Sequence, residues 1–237
     1  MATAPVHTVL VPGLLCSARL YEQLLPAVWS YGGVTIADNR RDSTMTAMAQ
    51  RLLAAAPDRF VLAGLSMGGY VALEVLRLAP ERVTGLALIS TSARADSPEQ
   101  VASRREQAQA VAVGRFGELV EAVYPLLVDA ANIARTDLAD FWRRMALDIG
   151  PDAFVAQLTA VMGRPDSRPD LASIRCPTAV VHGTGDRLIA PENAVEISRA
   201  ISGAELTLVP DAGHMMAQEQ PGALADAVVE LLDAVTR

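Results

Sequence analysis

The sequence predicts an α/β fold built on a parallel sheet with helices on both faces. Short apolar, β-branched runs alternate with longer stretches of helical period along most of the chain. The strand candidates are apolar throughout rather than alternately apolar and polar, the pattern of strands buried on both faces. Hydrophobic residues make up 51% of the 237 positions and charged ones 20%, which suits one domain with a large core.

The elements follow in order. "HTVLVPG" (7–13) reads as a buried strand closed by Pro-Gly, and "ARLYEQLLPAVW" (18–29) as the helix after it. "GVTIADN" (33–39) is the second strand and "TMTAMAQRLLAAA" (44–56) the next helix. "FVLAGLS" (60–66) is the third strand, running directly into the helix "MGGYVALEVLRLA" (67–79), and "VTGLALIST" (83–91) is the fourth. There the alternation stops. From about Ala93 to Leu171 the chain reads as successive helices. The first, "SPEQVASRREQAQAVAV", has Ser97 as its N-cap and Pro98 in the first helical position. "GELVEAVYPLLV", "DLADFWRRMALDIG" and "DAFVAQLTAVMG" follow, and "GRPDSRPD" turns the chain back. "PTAVVHGTGD" (177–186) and "AELTLVPDAGH" (204–214) are the fifth and sixth strands, separated by the helix "APENAVEISRAIS", and "GALADAVVELLDAV" is the last helix. The expected organisation is a core of residues 1–93 and 172–237, with a helical cap at 94–171 over one edge of the sheet.

Composition excludes several classes. The formal charge is −7, and the basic residues are scattered in pairs rather than stripes, which argues against a nucleic-acid partner. No apolar run approaches the roughly 18 residues of a membrane span. The first residues carry no basic group ahead of their apolar part, unlike a signal peptide, so a cytoplasmic protein without a membrane partner is expected. Cys16 and Cys176 fit neither a disulfide framework nor a metal pattern and read as free, partly buried thiols. Three histidines with no clustered ligands make a metal site unexpected.

The chemistry centres on "GLSMG", residues 64–68, between an apolar strand and an amphipathic helix. In G-x-S-x-G a strained strand-to-helix turn presents the serine clear of the sheet, and the two glycines leave room for the crossing backbone. Phosphate-loop and dinucleotide-loop spacings are absent. Ser66 then needs a base. His7 opens the first strand, and His182 lies within the fifth, where a structural part is expected. His214 lies on a loop at the carboxyl edge of the sheet, where sites of open α/β sheets form, and is the candidate base. Asp186, at the same edge, is the preferred acid to orient it, with Asp211 and Asp96 as alternatives. For a developing oxyanion the candidate donors are the backbone N–H of Met67 and that of Leu14, with Leu15 second to Leu14. Leu15, Tyr124, Trp142 and Met215 are candidate pocket residues, and Arg94 and Arg187 are read as solvated.

The stretches "VLVPG", "GLSMGGYVAL", "APERVTGLALISTSA", "IRCPTAVVHGTGDRLIAPE" and "LVPDAGHMMAQEQPGAL" together resemble the α/β-hydrolase superfamily. The likeness is to its small capped esterases, enol-lactonases and cofactor-free haloperoxidase-like members. It implies an α/β-hydrolase fold and acyl transfer through Ser66, Asp186 and His214, with no cofactor and a small-molecule ester as substrate. A serine where related epoxide hydrolases and haloalkane dehalogenases have aspartate argues against those activities. The chain departs from the family in two places. Pro12-Gly13 stands where His-Gly is common, and six residues before His7 leave no room for two usual leading strands, so a six-stranded, all-parallel sheet is expected. Within this resemblance a lactonase, thioesterase or acyltransferase remains an alternative to a carboxylesterase, as does a non-enzymatic ligand receptor.

Overall fold

The computed structural model describes residues 5–237. Their strands form one six-stranded sheet in the order β2-β1-β3-β4-β5-β6, every pairing parallel. In chain order the elements begin with β1 (Thr8–Val11), α1 (Leu25–Trp29), β2 (Val34–Ile36), α2 (Met45–Ala55), β3 (Phe60–Leu65), α3 (Met67–Leu78) and β4 (Val83–Ile89). A helical insertion follows, comprising α4 (Pro98–Ala112), α5 (Phe116–Leu127), α6 (Thr136–Ile149) and α7 (Pro151–Met162). The chain closes with β5 (Thr178–Gly183), α8 (Glu192–Ala200), β6 (Glu205–Val209), α9 (Met216–Glu219) and α10 (Pro221–Thr236).

Burial follows position in the sheet. β1, β3 and β5 are buried along their whole length, whereas β2 is half-buried and β6 largely exposed because each has a neighbour on one side only. The pleat sends alternate residues to opposite faces. Leu10, Val61, Ala63, Ala87 and Val181 pack with α10 and the inserted helices, while Val9, Leu62, Leu86, Leu88 and Val180 pack with α2, α3 and α8. After β2 the chain passes back beyond β1 to lay down β3, so the strand order reverses between β1 and β3. The carboxyl ends of strands flanking such a reversal open a crevice, the usual ligand position in these sheets.

Helix boundaries obey local chemistry. Ser97 and Gln100 form a reciprocal capping box at the start of α4, with Pro98 in the first turn. Gly150, at φ 84°, ends α6, and Pro151 opens α7 immediately after it. The stretch 18–29 is not the single helix its composition suggests. It forms a 3-10 turn over Ala18–Tyr21 and then α1, because Pro26 has no N–H to donate to Glu22 in a continuous helix. Among the described residues no helix is long and apolar enough to cross a membrane.

Candidate active site

At the reversal between β1 and β3, Ser66 occupies the tight turn from β3 into α3 with φ 55° and ψ −117°. A non-glycine residue there costs about 1–3 kcal/mol, sustained only where the surroundings over-determine the turn. They do so here. The Ser66 N–H donates to Ile89 O of β4 at 2.9 Å, and the Thr91 hydroxyl donates to Ser66 O at 2.8 Å. A Cβ on Gly64 would lie 2.3 Å from Gly68 O, and one on Gly68 would lie 1.9 Å from Val11 O. The first glycine thus clears the helix and the second clears the neighbouring strand.

The turn brings Ser66, His214 and Asp186 into one hydrogen-bonded row. The Ser66 hydroxyl is 2.8 Å from His214 Nε2, and His214 Nδ1 is 2.7 Å from Asp186 Oδ2. All three residues are buried, and Ser66 retains 8% exposure. The Oδ1 atom of Asp186 accepts the N–H groups of Leu188 and Ile189, both at 2.9 Å, which fixes the carboxylate from behind. His182 Nε2 is 3.2 Å from Asp186 Oδ2 and 2.9 Å from Ile189 O. Burial pushes the Asp186 carboxyl up, but the charge of His214 and the bonds from His182, His214 and Ile189 outweigh it and hold the group well below the usual carboxylate range.

Neither alternative acid meets His214. Asp96, whose side chain is buried, accepts from Arg104 at 2.6 Å and from Arg164 at 2.7 Å. Asp211 lies on an exposed turn with φ 55°. The remaining histidine, His7, bonds the Thr35 hydroxyl at 2.8 Å.

Two loops complete the surroundings. In the loop after β1, the Leu15 N–H donates to Gln157 Oε1 at 3.0 Å and the Cys16 N–H to Gly13 O at 3.2 Å. Among the described residues the Leu14 N–H has no partner. A Cβ on Gly13 would lie 3.3 Å from Ser66 Cβ, so this loop runs alongside the serine. Met67 opens α3, and its N–H has no acceptor within the helix. Burial pushes the Cys16 thiol up to about 12, against a smaller opposing pull from the Gly13 backbone, so it is no competing nucleophile at neutral pH.

The loop carrying His214 is braced by Glu219, whose carboxylate accepts from the N–H groups of Gly213 at 2.8 Å and Asp129 at 2.6 Å and from the Asn132 amide at 2.9 Å. The Met215 N–H donates to Leu127 O at 2.7 Å, tying the same loop to α5. Glu219 carries no signal in the sequence, because two of its three partners, the Asp129 N–H and the Asn132 amide, lie in a distant segment. Of the candidate pocket residues, Leu15, Tyr124, Trp142 and Met215 share one apolar cluster. Two spend their polar ends inside the insertion: the Tyr124 hydroxyl bonds Arg135 O at 2.9 Å, and Trp142 Nε1 bonds Val120 O at 2.8 Å. Arg187 is not simply solvated, for its guanidinium reaches Pro125 O and Val128 O at the end of α5. Arg94 pairs with Glu196 at 2.9 Å on the surface. Among the described residues no cluster of three or more His, Cys, Asp or Glu side chains is arranged to hold a metal ion.

Comparison with known proteins agrees with this architecture. The chain is 28% identical over 236 residues to a pimeloyl-[acyl-carrier protein] methyl ester esterase of Edwardsiella ictaluri, covering 97% of this chain and 89% of that protein. It is 35% identical over 161 residues to the dihydrolipoyllysine-residue acetyltransferase component of the acetoin cleaving system of Pseudomonas putida, a match that takes in 67% of this chain and 41% of that longer protein. Its fold superposes on a thermophilic esterase from Thermogutta terrifontis with a TM-score of 0.90 at 29% identity, covering 100% of this chain and 92% of that one. The alpha/beta hydrolase family matches residues 8–227, a span that contains every strand of the sheet together with Ser66, Asp186 and His214, and the chain belongs to that family.

Proposed function

We propose that the protein is a serine carboxylesterase acting on small-molecule esters. The observation that carries this reading is the unbroken row from Ser66 Oγ through both imidazole nitrogens of His214 to Asp186, at 2.8 and 2.7 Å. Ser66 attacks the ester carbonyl as His214 Nε2 takes its proton, giving a tetrahedral oxyanion that accepts from the Leu14 and Met67 N–H groups. Collapse expels the alcohol, protonated by His214, and leaves an acyl group on Ser66. Water, deprotonated by His214, then releases the acid, while Asp186 holds the imidazole in the required tautomer and stabilises its charged form. Residues 94–171 act as a cap over the carboxyl edge. The apolar side chains of Leu15, Tyr124, Trp142 and Met215 suit an acyl chain or aromatic ester better than a charged substrate.

The test is turnover of p-nitrophenyl esters of graded acyl length, together with labelling by a serine-directed phosphonate. Expected are measurable hydrolysis, labelling at Ser66, and loss of both in Ser66→Ala, with turnover falling by about 10³-fold or more. Failure of both hydrolysis and labelling overturns the reading. Parallel assays with a lactone, a thioester and an added alcohol acceptor distinguish lactonase, thioesterase and acyltransferase activity on the same residues. Inert but correctly folded protein would favour a ligand receptor.

A further inference from the structure

We infer that Gln157, on α7 of the insertion, is a positioning residue that holds the oxyanion loop in a strained, competent shape; this rests on the esterase reading above. Residues 13–16 form a tight turn closed by the Cys16 N–H to Gly13 O bond, with Leu15 in its third position at φ 57°. That position with positive φ ordinarily selects glycine or asparagine, and a leucine left to itself relaxes to negative φ. Relaxation rotates the peptide between Leu14 and Leu15 and disturbs the aim of the Leu14 N–H on the adjoining peptide.

Gln157 opposes that rotation. Its side chain is fully buried, and its Oε1 accepts the Leu15 N–H at 3.0 Å, the group that would swing away. Its other end is anchored: Nε2 donates to Asn39 O at 3.2 Å, and Asn39 Nδ2 donates to Pro12 O at 3.0 Å, just ahead of the same turn. The two amides therefore hold the loop at Pro12 and at Leu15, on either side of Leu14. Because the acceptor comes from the insertion, assembly of the oxyanion site depends on the insertion being docked. A relaxed Leu15 turn would still let substrate bind but would lose a donor that matters most in the tetrahedral state.

The experiment compares wild type with Gln157→Met, which keeps length but removes the acceptor, and with Gln157→Ala should the methionine fail to pack. Expected are a kcat lower by about 10- to 100-fold with KM within about twofold. A trifluoromethyl ketone, whose adduct on Ser66 carries the oxyanion, should bind more weakly by the same factor. Hydrogen exchange should show faster exchange of the Leu15 amide in the variant. Unchanged kcat, a loss confined to KM, or a Leu15 amide equally protected in both proteins overturns the inference. Wild type that neither hydrolyses esters nor reacts with phosphonate overturns the esterase reading instead, and the Leu15 exchange rate then still decides whether Gln157 pins the turn.

Discussion

The Asp186 carboxylate is buried, which disfavours its charge, yet the charge of His214 and the surrounding bonds more than compensate. Its folded-state pKa is depressed below the unfolded value of about 3.9, so ionised Asp186 stabilises the fold above that value, and the contribution is lost as pH falls through the folded pKa. Urea unfolding across the acid range should therefore show wild-type stability falling more steeply below about pH 4 than that of Asp186→Asn. At neutral pH the same substitution offers His214 an amide that can hold the wrong tautomer, and kcat should drop by about 10³- to 10⁴-fold with KM little changed. Steady-state kinetics on one ester checks this. Ser66 and His214 stand out in the sequence as candidates because each follows a strand with local punctuation, and Asp186 stands out only as the preferred of three acids. Gln157 and Glu219 do not, since nothing in "FVAQLTAV" or "MAQEQPG" marks a buried amide that meets Leu15 or a buried carboxylate that meets Asp129 and Asn132.

Strands and helices were legible where one element's own chemistry decides it. The six apolar runs became six strands, and Ser97-Pro98 and Gly150-Pro151 delimit helices as their backbone preferences require. Elements at the sheet edges came out shorter than their apolar runs, as β2 shows, because a strand with one neighbour has one ladder to extend. The turn from β3 to α3 is the most constrained junction. Gly68→Ala would place a methyl 1.9 Å from Val11 O, a backbone atom with no freedom to yield. That variant should lose at least about 2 kcal/mol of stability and most of its turnover. Gly117, in the first turn of α5 with open space around it, is the contrast: Gly117→Ala should gain up to about 1 kcal/mol. Thermal and urea unfolding of the pair measure both effects.

Across the whole molecule, the insertion is fastened where the chain leaves the sheet and where it returns. Asp96, near its start, pairs with Arg164, near its end, and the Ser167 N–H bonds Ala93 O at 2.8 Å. The Arg164 guanidinium also lies 4.1 Å from the centre of the Tyr70 ring on α3, joining this buckle to the helix that begins after Ser66. Asp96→Ala leaves Arg164 buried without its carboxylate and should cost about 3–5 kcal/mol in a urea titration. Asp96→Asn, which still accepts, should cost less. The sequence by itself determined the order of the strands, the serine turn and His214 as the candidate base, because apolar runs, glycine spacing and strand-end loops are local properties of the chain, while the choice among Asp186, Asp211 and Asp96 stayed open. Only the tertiary structure decided what each polar side chain of the insertion faces: Asp96 meets Arg164 rather than His214, and Gln157 meets Leu15 rather than solvent. Those pairings join residues 68 and 142 positions apart, and their geometry is set by how α7 docks, which no local pattern encodes.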